Sequence, residues 1–170
     1  YPAYEFLVEE AGAGSGILAE ITPDTMGSQR RLQWFCEKRG MWPEALRAAD
    51  NVLALLGIDP RGSGVPEGVQ PDSLEFRLGS VTTRQQLRTL QRLGRVEPWR
   101  AALERYRSFV RLRCGALLED ASRYAGMGRL AEARKACADC LEQDRNHLDA
   151  FLTMTEIELL PGASRGREGQ

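Results

Sequence analysis

Two features of this sequence have residue types and spacings that could do chemistry. Cys137 and Cys140 stand as C-x-x-C, the arrangement of thiol redox pairs and of half a zinc site. Arg84, Arg88 and Arg92 recur at every fourth position, which sets three guanidinium forks on one helix face. Such a fork pairs with a carboxylate or phosphate through two parallel hydrogen bonds. Beside these stand His147, the only histidine, and two further cysteines, Cys36 and Cys114.

The thiol pair reads as packing. Redox C-x-x-C pairs open a helix after a strand, where the helix dipole lowers the thiol pKa. Here both cysteines lie mid-helix in an apolar pattern with Leu130, Ala133, Ala136 and Leu141. A zinc site takes four ligands, and Cys36, Cys114 and His147 supply no second paired spacing. Free buried thiols in a reducing compartment are expected, with no disulfide framework, no metal and no cofactor. His147 follows Asn146 just before a helix and reads as a capping or surface group. No nucleophile with an orienting acid accompanies it, so no enzymatic activity is expected. The run GAGSGI at 12–17 has neither nucleotide-loop spacing nor a following lysine and reads as linker.

These residues sit in a chain of 170 residues, 42% hydrophobic and 28% charged, the composition of one soluble globular domain. No apolar run reaches the roughly 18–20 residues of a membrane span, and no signal peptide is expected, since no basic residue precedes Arg30. The chain opens on Tyr1, which reads as a piece of a longer protein with a cytoplasmic location expected. The net charge of −1 hides a segregation. Residues 1–24 carry five acids and no base, residues 77–113 carry ten arginines against Glu97 and Glu104, and only Lys38 and Lys135 are lysines.

Apolar periodicity near 3.6 residues and helix punctuation set the elements. Residues 1–24 read as an acidic arm, with Ile17–Ile21 a short helix or extended stretch. A helix that starts in Thr22-Pro23-Asp24-Thr25, with a Thr or the Asp as N-cap, runs through Leu32, Phe35 and Cys36 to Gly40. The next, with Pro43 in its first turn, runs to Gly57. Residues 57–82 hold three prolines and read as an inserted loop, with one turn near Asp72. Helices are then expected from Thr82 or Thr83 to Gly94, from Glu97 to about Leu112, from Leu117 to Gly128, from Leu130 to Asp144 and from Asn146 to Leu160. The tail 161–170 reads as disordered.

The inter-helix glycines are in register. Gly94 and Gly128 lie 34 residues apart, and Gly40 and Gly94 lie 54 apart, the same period plus a 20-residue insertion. Around Gly128 stand Ala121, Tyr124, Leu130, Ala133, Cys137, Cys140, Leu141 and Asp144. Around Gly40 stand Leu32, Cys36, Trp42, Ala45, Ala49, Val52 and Leu53. This pattern resembles the tetratricopeptide repeat, a 34-residue helical hairpin. The middle repeat departs from it at Trp99, where the family has a small residue, and Gly57 and Arg145 stand where it has proline. The resemblance, over 25–160, implies an all-α, right-handed superhelical array of three hairpins plus a C-terminal capping helix, and a non-catalytic scaffold or adaptor that binds proteins.

In that register Arg84, Arg88 and Arg92 line the concave groove, with Arg30 and Trp34 one repeat earlier. An acidic peptide segment is the ligand expected there. The alternatives are a nucleic acid held by the arginine-rich middle segment, which the near-neutral balance disfavours, and a cysteine-based metal or redox site. A small-molecule ligand is not expected. A further expectation is that the acidic arm, residues 1–24, occupies the groove as an internal pseudo-ligand.

Overall fold

A computed structural model describes residues 22–160. Most of the acidic arm, the expected element at Ile17–Ile21, the GAGSGI run and the tail 161–170 lie outside the described residues. Among the described residues the order of elements is six helices: α1 (Met26–Arg39), α2 (Trp42–Leu55), α3 (Leu74–Arg92), α4 (Val96–Gly126), α5 (Leu130–Gln143) and α6 (Leu148–Leu159). The chain divides into two compact units, one ending at Phe109 and the other beginning at Val110, within α4.

Helix starts follow the expected chemistry, with one displacement. Thr25 Oγ1 accepts from the Ser28 amide at 3.3 Å, and Pro43 sits in the first turn of α2. The third helix, however, begins two turns before Thr82. Ser73 caps it, accepting from the Phe76 amide at 3.1 Å, and both Thr82 and Thr83 are buried in mid-helix. Phe76, Gly79 and Thr83 then fall on one face and make the extra turns worth burying. The break expected between Leu112 and Leu117 is also absent: α4 is one helix of 31 residues. That stretch holds no proline, and its single Gly115 costs only about 1 kcal/mol in a helix interior.

The hairpin turns share one geometry. Gly40, Gly94 and Gly128 have φ of 71°, 65° and 74°, where a side chain would be strained. After each, the next amide reaches back five residues: Met41 to Cys36 at 2.9 Å, Arg95 to Leu90 at 3.1 Å and Arg129 to Tyr124 at 2.9 Å. Each glycine amide also bonds the carbonyl three residues before it, which completes a Schellman cap. Gly57 closes α2 in the same way, with Ile58 bonding Leu53 at 2.9 Å.

In the first unit, Leu32, Phe35 and Cys36 of α1 pack on Ala45 and Ala48 of α2. Trp99 lies partly buried against Leu46, Leu90 and Ala102, so the large residue fills a layer between helices. The inserted loop is anchored by Ile58, Val65 and Val69 on Leu53, Phe76 and Phe109, each large side chain worth roughly 1.5–3 kcal/mol on burial. A buried polar network ties the same loop down. Arg105, fully buried, donates to the carbonyls of Asp59 at 2.8 Å and Gly62 at 2.5 Å, to Thr83 Oγ1 at 3.2 Å, and to Gln86 Oε1. Gln86 in turn donates to Asp50 Oδ1 at 2.6 Å and to the Pro60 carbonyl at 3.2 Å. One of the ten arginines of the basic segment is therefore a core residue.

The second unit has a core of small side chains: Ala121, Ala133, Ala136 and Cys137 with Ile157, and Cys114, Cys140 and Ala150 with Leu117. Helix α6 buries only Ala150 and Ile157. Leu148, Phe151 and Leu152 of α6 are exposed.

Candidate functional site

Helix α1 turns Leu32, Phe35 and Cys36 inward, which leaves Trp34 and Lys38, one turn apart, facing outward. On α3 the buried Gln86, Thr89 and Leu90 leave Arg88 and Arg92 outward in the same way. These side chains meet across an open cavity of about 600 Å³, lined by Trp34, Glu37, Lys38, Trp42, Arg88, Thr89, Gln91 and Arg92. All of it lies within the first unit.

The cavity combines positive charge with aromatic faces. Lys38 Nζ stands 5.8 Å from the Trp34 ring centre, and Arg92 Cζ 5.9 Å from that of Trp42. These distances fall at the outer edge of cation–π attraction. The three cations outnumber the one carboxylate, Glu37. Gln33 Nε2 donates to Glu37 Oε1 at 3.1 Å. Burial pushes the Glu37 carboxyl above its usual range, against the Gln33 hydrogen bond and the charge of Arg88. Two of the chain's three tryptophans line this cavity.

Of the residues expected to bind a ligand, Trp34, Arg88 and Arg92 come together. Arg30 and Arg84 are exposed but do not line the cavity; each lies one turn before Trp34 or Arg88 on its own helix. The sequence reading missed Glu37, Lys38, Trp42, Thr89 and Gln91. Lys38 had a signal, its i+4 spacing from Trp34. Trp42 had no such spacing to the expected residues; it reaches the cavity because the Gly40 turn folds α2 back beside α1. The arm contributes only its last residues to the described part: the Gln29 side-chain amide holds Asp24 Oδ1 at 3.2 Å and the Pro23 carbonyl at 3.3 Å. Elsewhere in the basic segment, Arg100 and Arg107 pair with the segment's own acids, Glu97 at 2.9 Å and Glu104 at 2.5 Å. A second depression, of about 620 Å³ against Ala138, Leu141, Glu142, Arg145 and Met154, offsets its one arginine with a glutamate and has no aromatic ring.

Cys137 and Cys140 are both fully buried and free, and they belong to different layers of the second unit's core. Burial raises both thiols, that of Cys140 to about 12, so neither is a ready thiolate. His147 corrects the sequence reading. It occupies the N-cap position of α6 but makes no side-chain capping bond, and its Nδ1 is buried without a hydrogen-bond partner.

No protein-family model, no curated protein and no solved structure matches this chain. Among the described residues no helix is long and apolar enough to cross a membrane.

Proposed function

We propose that the first unit is a non-catalytic protein-interaction module that takes an acidic peptide segment in the groove of Trp34, Trp42, Arg88 and Arg92. The observation that carries this reading is that two guanidinium forks and two indole faces line one open cavity. Arg forks hold carboxylates in bidentate pairs, and indole faces take the apolar part of a neighbouring peptide residue at little entropic cost. Lys38 adds a third charge, while Arg30 and Arg84 extend the basic rim one helical turn beyond the cavity.

The tetratricopeptide-like array belongs to the same proposal. It is supported by the 34-residue spacing of Gly94 and Gly128 and by the Schellman turns shared by Gly40, Gly94 and Gly128. The buried free thiols support a reducing, cytoplasmic setting. Nucleic-acid binding is the second reading, and the net charge of −1, with only two lysines in the chain, weighs against a phosphate chain as the ligand.

Fluorescence polarisation with end-labelled peptide pools separates these readings. One pool carries Asp or Glu at alternate positions with random residues between, another carries Lys at those positions, and a mixed-sequence single-stranded oligonucleotide forms the third arm. The acidic pool is expected to bind, with quenching or shift of tryptophan emission. Binding by the oligonucleotide alone, or equal binding of both peptide pools, would overturn the proposal.

A further inference from the structure

We propose that Cys114, Cys140 and His147 form a zinc-binding site in the second unit, independent of the groove. The sequence concealed it, because the three ligands come from three elements: the middle of α4, the last turn of α5 and the residue before α6. One ligand atom from each lies within 4.8 Å of the other two. A tetrahedral zinc with sulfur at about 2.3 Å and nitrogen at about 2.0 Å has ligand–ligand edges of about 3.5–3.8 Å. A side-chain adjustment of about 1 Å would therefore close the cluster on the ion.

A second observation points to a ligand at the same place. His147 Nδ1 is buried and has no hydrogen-bond partner, the one such side-chain atom among the described residues. Leaving a buried imidazole nitrogen without a partner is unfavourable, and an imidazole lone pair is the donor a metal requires. Both thiols are fully buried, and Cys114 Sγ donates to the Cys140 carbonyl at 3.7 Å. The turn that presents the histidine is itself braced: the His147 amide bonds the Asp144 carbonyl at 3.1 Å, and the Asn146 amide bonds Asp144 Oδ1 at 3.1 Å. These three side chains leave the fourth position of a tetrahedral ion to water. Two thiolates and an imidazole suit zinc rather than magnesium or calcium, which take oxygen ligands.

The placement also answers a packing need. The core here is built largely of alanine and cysteine, and α6 buries no large side chain besides Ile157. A metal bridging α4, α5 and the start of α6 would supply the attachment that apolar contact does not, since binding free energy at such a site becomes folding free energy. Cys137, the other half of the C-x-x-C, packs instead on Ala121 and Ala133 and takes no part.

The test uses the full chain, purified under reductant, loaded with zinc or cobalt and freed of loose metal. One metal ion per chain is expected, with cobalt giving a thiolate charge-transfer band and the strong visible bands of tetrahedral coordination. Cys114→Ser, Cys140→Ser and His147→Gln should each weaken cobalt binding by at least about 10–100-fold, the loss that removing even an outer-sphere partner causes. Cys137→Ser and Cys36→Ser should leave both spectrum and stoichiometry unchanged. Should a buried serine variant fail to fold by circular dichroism, His147→Gln, at a half-buried turn position, carries the comparison. Absence of the charge-transfer band in reduced wild type would overturn the proposal. So would an unaltered band in His147→Gln, or a Cys114–Cys140 disulfide in protein that, once reduced, binds no metal.

Discussion

Cζ of Phe109 stands 2.8 Å from the point where a Cβ on Gly79 would lie, and Ile58 Cδ1 stands 2.5 Å from it. The absence of one side chain on α3 lets the ring of Phe109 meet Phe76 edge-on, with centroids 5.4 Å apart, while Ile58 pins the inserted loop beside them. Gly79→Ala should therefore cost about 1–3 kcal/mol by overpacking. Gly115, exposed within α4 and with nothing within 4 Å of its Cβ position, gives the opposite expectation. Gly115→Ala should stabilise by up to about 1 kcal/mol. Urea unfolding of both variants checks the pair, and a neutral Gly79→Ala would show that the core there is loose.

Arg105→Met should destabilise the protein by about 2–4 kcal/mol, because it strands the carbonyls of Asp59 and Gly62 and the side chain of Gln86 without their donor. Since those carbonyls belong to the inserted loop, limited proteolysis should cut between residues 57 and 73 first. Unchanged protection of that loop would contradict the role given to Arg105.

Asp50 gives a pH signature of the same network. Burial raises its carboxyl above the ordinary 3.8, and the Gln86 hydrogen bond and the charge of Arg105 only partly oppose this. The unfolded chain then loses the proton first as pH rises, so this group makes stability fall between 3.8 and its folded value and stay level above. The difference in urea midpoint between wild type and Asp50→Asn should change across that window and be constant at higher pH. A difference that grows in the opposite direction would reverse the assignment.

What was legible in the sequence was the punctuation. Gly40, Gly94 and Gly128 announce their turns because the left-handed conformation strongly favours glycine, and Thr25 and Pro43 mark helix starts by local chemistry. The arginine stripe at Arg88 and Arg92 was legible for a related reason, since i+4 spacing fixes a shared face. What was not legible depended on distant partners. Nothing near Arg105 distinguishes it from its exposed neighbours; its burial is set by carbonyls more than forty residues away. The Ser73 start of α3 depends on Phe76 finding Phe109. The approach of Cys114, Cys140 and His147 depends on how three helices meet, which no spacing along the chain records.

Glu37→Gln should tighten binding of an acidic peptide at neutral pH and remove most of its pH dependence. The Glu37 carboxyl, raised above its usual 4.5 by burial, takes up a proton before an ordinary glutamate as pH falls. The cavity then keeps Lys38, Arg88 and Arg92 without an opposing charge. Affinity of wild type should rise as pH falls from 7 toward the peptide's own carboxyl range, a trend readable by fluorescence polarisation. Equal pH profiles for wild type and Glu37→Gln would contradict this.

The most direct test of the groove is charge reversal with compensation. Arg88→Glu/Arg92→Glu is compared with wild type against the acidic and the lysine-bearing peptide pools at fixed ionic strength, with Arg100→Glu/Arg107→Glu as a distant control. Loss of two charge-assisted contacts at about 1.5–3 kcal/mol each should weaken the acidic pool by at least about a hundredfold. The lysine-bearing pool should gain affinity, and the control should change little. Binding of the acidic pool that survives in Arg88→Glu/Arg92→Glu, or is lost equally in the control, would contradict the assignment of this cavity as the ligand site.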